Sequence, residues 1–104
     1  MRKGYSLIIV ESFVSEETCH RGQVHIRPAS GQGYAANMFV ECSRFLVNTN
    51  YFPVGTKFRI WGKTKQKELS RIHLYSYHGD DFEVMQNGSW IKVPAHGPFP
   101  KIKL

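Results

Sequence analysis

Three features of the sequence predict an all-β fold. Short segments alternate apolar and polar residues, turn-forming residues separate them, and one hairpin has two arms that agree residue by residue. The expected architecture is a small barrel, OB-like or SH3-like, of about six strands with a C-terminal hairpin and room for one short helix. In this reading residues 1–93 make a single barrel domain, and residues 94–104, with three prolines, make an extended tail.

The first strand is expected over Tyr5 to Val14, and its centre, Leu7 to Val10, reads as buried on both faces. After a polar stretch, Gln23 to Arg27 should turn Val24 and Ile26 inward and Gln23, His25 and Arg27 outward. The following "RPASGQG" is a loop, because Pro28 lacks a donor while Gly31 and Gly33 tolerate unusual backbone angles. Its neighbours Arg27 and Tyr34 are placed to close over a ligand. Met38 to Ser43 alternates again, with Met38, Val40 and Cys42 on one side. Ser43 is a fitting N-cap for a helical turn in "SRFLVNTN", and "FPVGT" turns the chain into the next strand. That strand, 57–65, directs Phe58, Ile60 and Thr64 to the core. Arg71 to His78 follows, with Ile72 and Leu74 inward and Arg71, His73, Tyr75 and Tyr77 outward.

The last pair is the most explicit. Asn87-Gly88 suits the positive φ values of a two-residue type I′ turn. That turn sets Met85 opposite Trp90, Val84 opposite Ile91, Glu83 opposite Lys92 and Phe82 opposite Val93. Two apolar pairs then share one face, while an ion pair and a Met–Trp contact share the other.

Composition bounds the function. A chain of 104 residues with 41% hydrophobic and 21% charged content is long enough for one core and too apolar for wholesale disorder. The longest apolar run, "LIIV", is too short to cross a membrane, and no cleavage site follows the basic "MRK" start. Two cysteines, Cys19 and Cys42, allow one bridge at most, so a cytoplasmic protein with free thiols is expected. The histidines and cysteines lack zinc-site spacing, and a metal site from Cys19, His20, His78, Asp80 or Asp81 would require the fold to gather them. No P-loop, dinucleotide fingerprint or Ser or Cys nucleophile motif occurs, and no cofactor is expected.

The net charge of +6 is concentrated. Residues 57–67 hold five of the fourteen Lys and Arg and none of the eight acids, so the remainder is close to neutral. In "TKFRIWGKTKQK" the cations Lys57, Arg59, Lys63 and Lys65 share one parity with Trp61. A hairpin partner at 71–77 would add Arg71, His73, Tyr75 and Tyr77 to that surface. Ammonium and guanidinium groups neutralise phosphates and flat rings stack on unpaired bases, so the expected partner is single-stranded DNA or RNA. Duplex is disfavoured because no recognition helix is evident. If Lys57, Arg59, Lys63, Lys65 and Arg71 each neutralise one phosphate, log K should fall with log salt at a slope of about −3.5.

Three readings compete with this one. Lysines can simply guard an exposed strand against edge pairing, although exposed Trp and Tyr argue against that. A metal-independent ribonuclease of the toxin kind would use His73 as its acid–base beside Arg71 and Tyr75. An interaction module would offer the same strip to an acidic protein partner.

Overall fold

Alternation becomes architecture in a computed structural model that describes residues 3–16, 22–66 and 71–104. Seven strands form one barrel-shaped sheet: β1 (Ser6–Val14), β2 (Val24–Pro28), β3 (Val40–Glu41), β4 (Lys57–Lys65), β5 (His73–Tyr75), β6 (Phe82–Gln86) and β7 (Ser89–Val93). A 3-10 turn, Arg44–Val47, sits between β3 and β4, and the Ser43 hydroxyl accepts from Phe45 N–H as its cap. Among the described residues no helix is long and apolar enough to cross a membrane.

The ladder runs β2-β1-β4-β5-β3, antiparallel except for β3 with β5. β3 then lies beside β2 without ladder pairing, so the barrel is nearly closed. The hairpin β6–β7 attaches to β4 at Phe58 and Arg59, on the edge opposite β1. β4 is thus the hub. It meets β1 from Lys57 to Gly62, β6 near its start and β5 at its end. Gly62 marks the crossing between partners, where a Cβ would lie 3.0 Å from Ile8 Cδ1 and 3.3 Å from the Tyr75 carbonyl oxygen.

Ile8, Val10, Ile26, Val40, Leu46, Phe58, Ile60, Leu74, Phe82, Val84 and Val93 fill the interior. β1 corrects one expectation. Its centre alternates, with Ile8 and Val10 buried while Leu7 is 43% exposed. Thr64 and Ile72 also differ from expectation and lie exposed, because the β1 pairing of β4 ends at Gly62 and β5 begins only at His73. The hairpin register is as expected from Phe82↔Val93 through Gln86↔Ser89, and Asn87 and Gly88 take φ of 51° and 78°.

Two segments are more ordered than their composition suggested. In the "GQG" loop, Gln32 donates to the carbonyls of Ile9 and Ala29 and accepts from Ile9 N–H, continuing the β1 ladder where Pro28 ends β2. The tail after Val93 is extended but docked. Ile102 is buried in the core, Phe99 packs on Phe45, Tyr51 and Phe52, and Lys103 exchanges two hydrogen bonds with Gln86.

Candidate functional site

The outward positions of β4 carry Lys57, Arg59, Trp61, Lys63 and Lys65 along one side of the sheet, as alternation requires. Their neighbours divide them into groups. At the start of the strand Lys57 stands opposite Glu11 in the ladder, and the Glu11 carboxylate is held by Arg27 at 3.1 Å. Arg27 is therefore committed to Glu11 and Tyr34 packs against the core, which removes the pair expected to close over a ligand.

Arg59 is committed as well. Its Nη2 donates to Glu83 Oε2 at 2.6 Å and its Nε to Glu83 Oε1 at 3.2 Å, while its guanidinium lies over the Trp90 ring at 4.8 Å. The Glu83 carboxylate thus serves Arg59 across the β4–β6 ladder, where the sequence suggested an ion pair with Lys92. Trp61 faces Leu7 across the β1 ladder. It shares a concavity of about 500 Å³ with Arg59, Glu83, Lys92, Asp80 and Asp81.

Beyond Gly62 the surroundings change. Lys63 pairs with Tyr75 and Lys65 with His73 in the β4–β5 ladder. The Lys65 ammonium lies 4.2 Å from the Tyr75 ring centroid and the Lys63 ammonium 4.9 Å from that of Tyr5. These distances are those of cation–π contacts, which hold the charges outward without neutralising them. His73 is only 12% exposed at its side chain, with Nε2 3.3 Å from Glu41 Oε1 on β3. Its ring packs against Phe39 at 5.8 Å. Arg71 is exposed and shares a cavity with Phe39, Ile72 and His73, and Tyr77 is 41% exposed.

The fold therefore brings Lys63, Lys65, Arg71, His73 and Tyr75 together at the β4–β5 corner. It leaves Lys57 at the far end of β4 and Arg59 inside an ion pair. Two rings join the surface that strand parity did not reveal, Tyr5 beside Lys63 and Phe39 beside His73. Phe39 is 63% exposed, the most exposed Phe, Tyr or Trp of the described residues. Its place between Met38 and Val40, on the outward parity of that segment, was a signal in the sequence, but only the β3–β5 pairing links it to His73. Among the described residues no three His, Cys, Asp or Glu side chains converge as a metal site; Cys19 and His20 lie outside those residues. No family model, curated protein or solved structure matches the chain.

Proposed function

We propose that this protein binds single-stranded nucleic acid, RNA or DNA, on the outer surface of the β4–β5 corner. The observation that carries the proposal is the pairing of uncommitted ammonium groups with rings. Lys63 and Lys65 lie over Tyr5 and Tyr75 on a surface that also presents Arg71 and Phe39. Phosphates would follow the cations while unpaired bases stack on the exposed rings. The circuit β1-β2-β3-β5-β4 and back to β1 supports an OB-type barrel over an SH3-like one, with β6–β7 as an addition. That analogy adds little to the functional argument, which rests on the surface itself. A cytoplasmic setting fits this reading.

Fluorescence polarisation with labelled single-stranded RNA, single-stranded DNA and duplex DNA tests the proposal. Binding to the single strands is expected, and Phe39→Ala should weaken it by about 1–3 kcal/mol with little change in salt dependence. An acidic protein partner would instead leave all three probes unbound at low salt.

The His73–Glu41 contact favours a second reading, a ribonuclease in which Glu41 orients His73 as acid–base. The ring's burial beneath Phe39 weighs against it, since a proton must pass between His73 and a phosphate ester. Labelled RNA should survive long incubation with clean protein. Turnover that disappears in His73→Ala would establish the second reading.

A further inference from the structure

The concavity at Trp61 has a different character from the rest of the proposed surface. Its charge is not net positive, because Glu83 occupies two donors of Arg59 and the two further carboxylates of Asp80 and Asp81 outnumber the one remaining cation, Lys92. On the other side Asp80 and Asp81 approach from the connection between β5 and β6. Asp81 is held in place, since its Oδ1 accepts from Ala95 N–H at 3.0 Å. Carboxylates beside a compensated ion pair repel phosphate, so a backbone running along Lys63 and Lys65 would not continue through this hollow.

A neutral, flat group is another matter. Trp61 offers a stacking surface with Leu7 beside it, and a base lying there would turn its hydrogen-bonding edge toward the carboxylates. Guanine alone among the four RNA bases presents two adjacent donors, N1–H and N2–H, which match the two oxygens of one carboxylate. Uracil offers one N–H flanked by carbonyls. Adenine and cytosine place an acceptor nitrogen next to their amine, and a carboxylate repels it. We infer that this hollow is a base pocket selecting guanine, with Trp61 as platform and Asp81 reading the Watson–Crick edge through Oδ2 and the lone pair of Oδ1 that Ala95 N–H leaves open. The inference rests on the nucleic-acid reading and deepens it by naming the base.

Three decameric RNAs test it: oligouridine, the same strand with one central guanine, and the same strand with inosine there, which lacks the N2 amine. Polarisation should show the guanine strand binding roughly five- to tenfold more tightly than oligouridine, the low end for a bidentate base contact, with inosine between them. Asp81→Asn keeps an oxygen for Ala95 N–H but presents an amide donor to the guanine. It should remove the guanine advantage and leave oligouridine binding intact. Equal binding of all three strands by the parent protein would overturn the guanine pocket and leave the nucleic-acid reading standing. Equal guanine advantage in a folded Asp81→Asn protein would also overturn it. Failure of every strand to bind would overturn both. The inosine comparison needs no variant, so it decides the matter even if Asp81→Asn fails to fold.

Discussion

Arg59 and Lys63 point to the same side of one strand and differ in what surrounds them. Arg59 is bound twice by Glu83 in a half-buried pair, so it belongs to the link between β4 and β6. Replacing it with Ala should cost roughly 1–2 kcal/mol in a denaturation experiment, because a charge-assisted pair is lost and Glu83 is left without its partner. Binding of oligouridine along Lys63 and Lys65 should change little. A folded Arg59→Ala protein that loses most of its affinity would contradict this assignment. The parity of the five outward residues was legible in the sequence. Their partners were not, because Glu11, Glu83 and Glu41 come from other strands and only the pairing brings them alongside. Cys42 makes a separate residue-scale prediction. Burial pushes its thiol up to about 12, with Arg44 opposing the shift and Glu41 adding to it. The folded protein keeps a proton that the unfolded chain releases at alkaline pH. Stability from this group is complete below the ordinary thiol range and declines as pH rises toward the folded value. Urea unfolding of the parent protein should therefore weaken between about pH 8 and pH 11 more than that of Cys42→Ala. Parallel losses in both proteins would remove Cys42 as a cause.

At the scale of elements, the β6–β7 hairpin and β4 were the parts most fully written in the sequence. Asn87-Gly88 supplies its own turn and the flanking residues agree in register, so local chemistry decides the pairing. Gly88→Val should destabilise the fold by about 1–2 kcal/mol, since a β-branched residue resists positive φ. Gly62 is constrained differently. Its φ is ordinary, but a Cβ there would press on Ile8 and on the Tyr75 carbonyl, where β4 passes from β1 to β5. Gly62→Ala should cost about 1–3 kcal/mol through crowding, seen as a lower thermal midpoint. An unchanged midpoint would show that β5 can shift at no cost. β3 and β5 were overestimated in length because alternation continues past the point where a neighbouring backbone is present to pair. Ile72 keeps the inward parity of a strand yet is 50% exposed, as no ladder reaches it.

For the molecule as a whole, the C-terminal segment is part of the barrel. Phe99 joins the ring cluster of Phe45, Tyr51, Phe52 and Phe82, and Ile102 is buried. Ile102→Ala should lower stability by about 2–4 kcal/mol; a loose tail would lose nothing. Prolines concealed this in the sequence, since they exclude ladder pairing without excluding docking. Charge at this scale is redistributed too. The strip of cations seen in the sequence divides into Lys57 at the far end of β4, Arg59 compensated by Glu83, and an open group at Lys63, Lys65 and Arg71. Three cations grouped at this corner and engaging one single strand imply a slope of log K against log salt of about −2, shallower than the −3.5 that five would give. Measuring that slope by polarisation, for the parent protein and for Lys63→Ala, tests the central claim most directly. A slope near −2 is expected for the parent protein, shallower by about 0.7 in the variant, with every sequence weakened alike. Binding without salt dependence, an unchanged slope in Lys63→Ala, or no binding at low salt would contradict it.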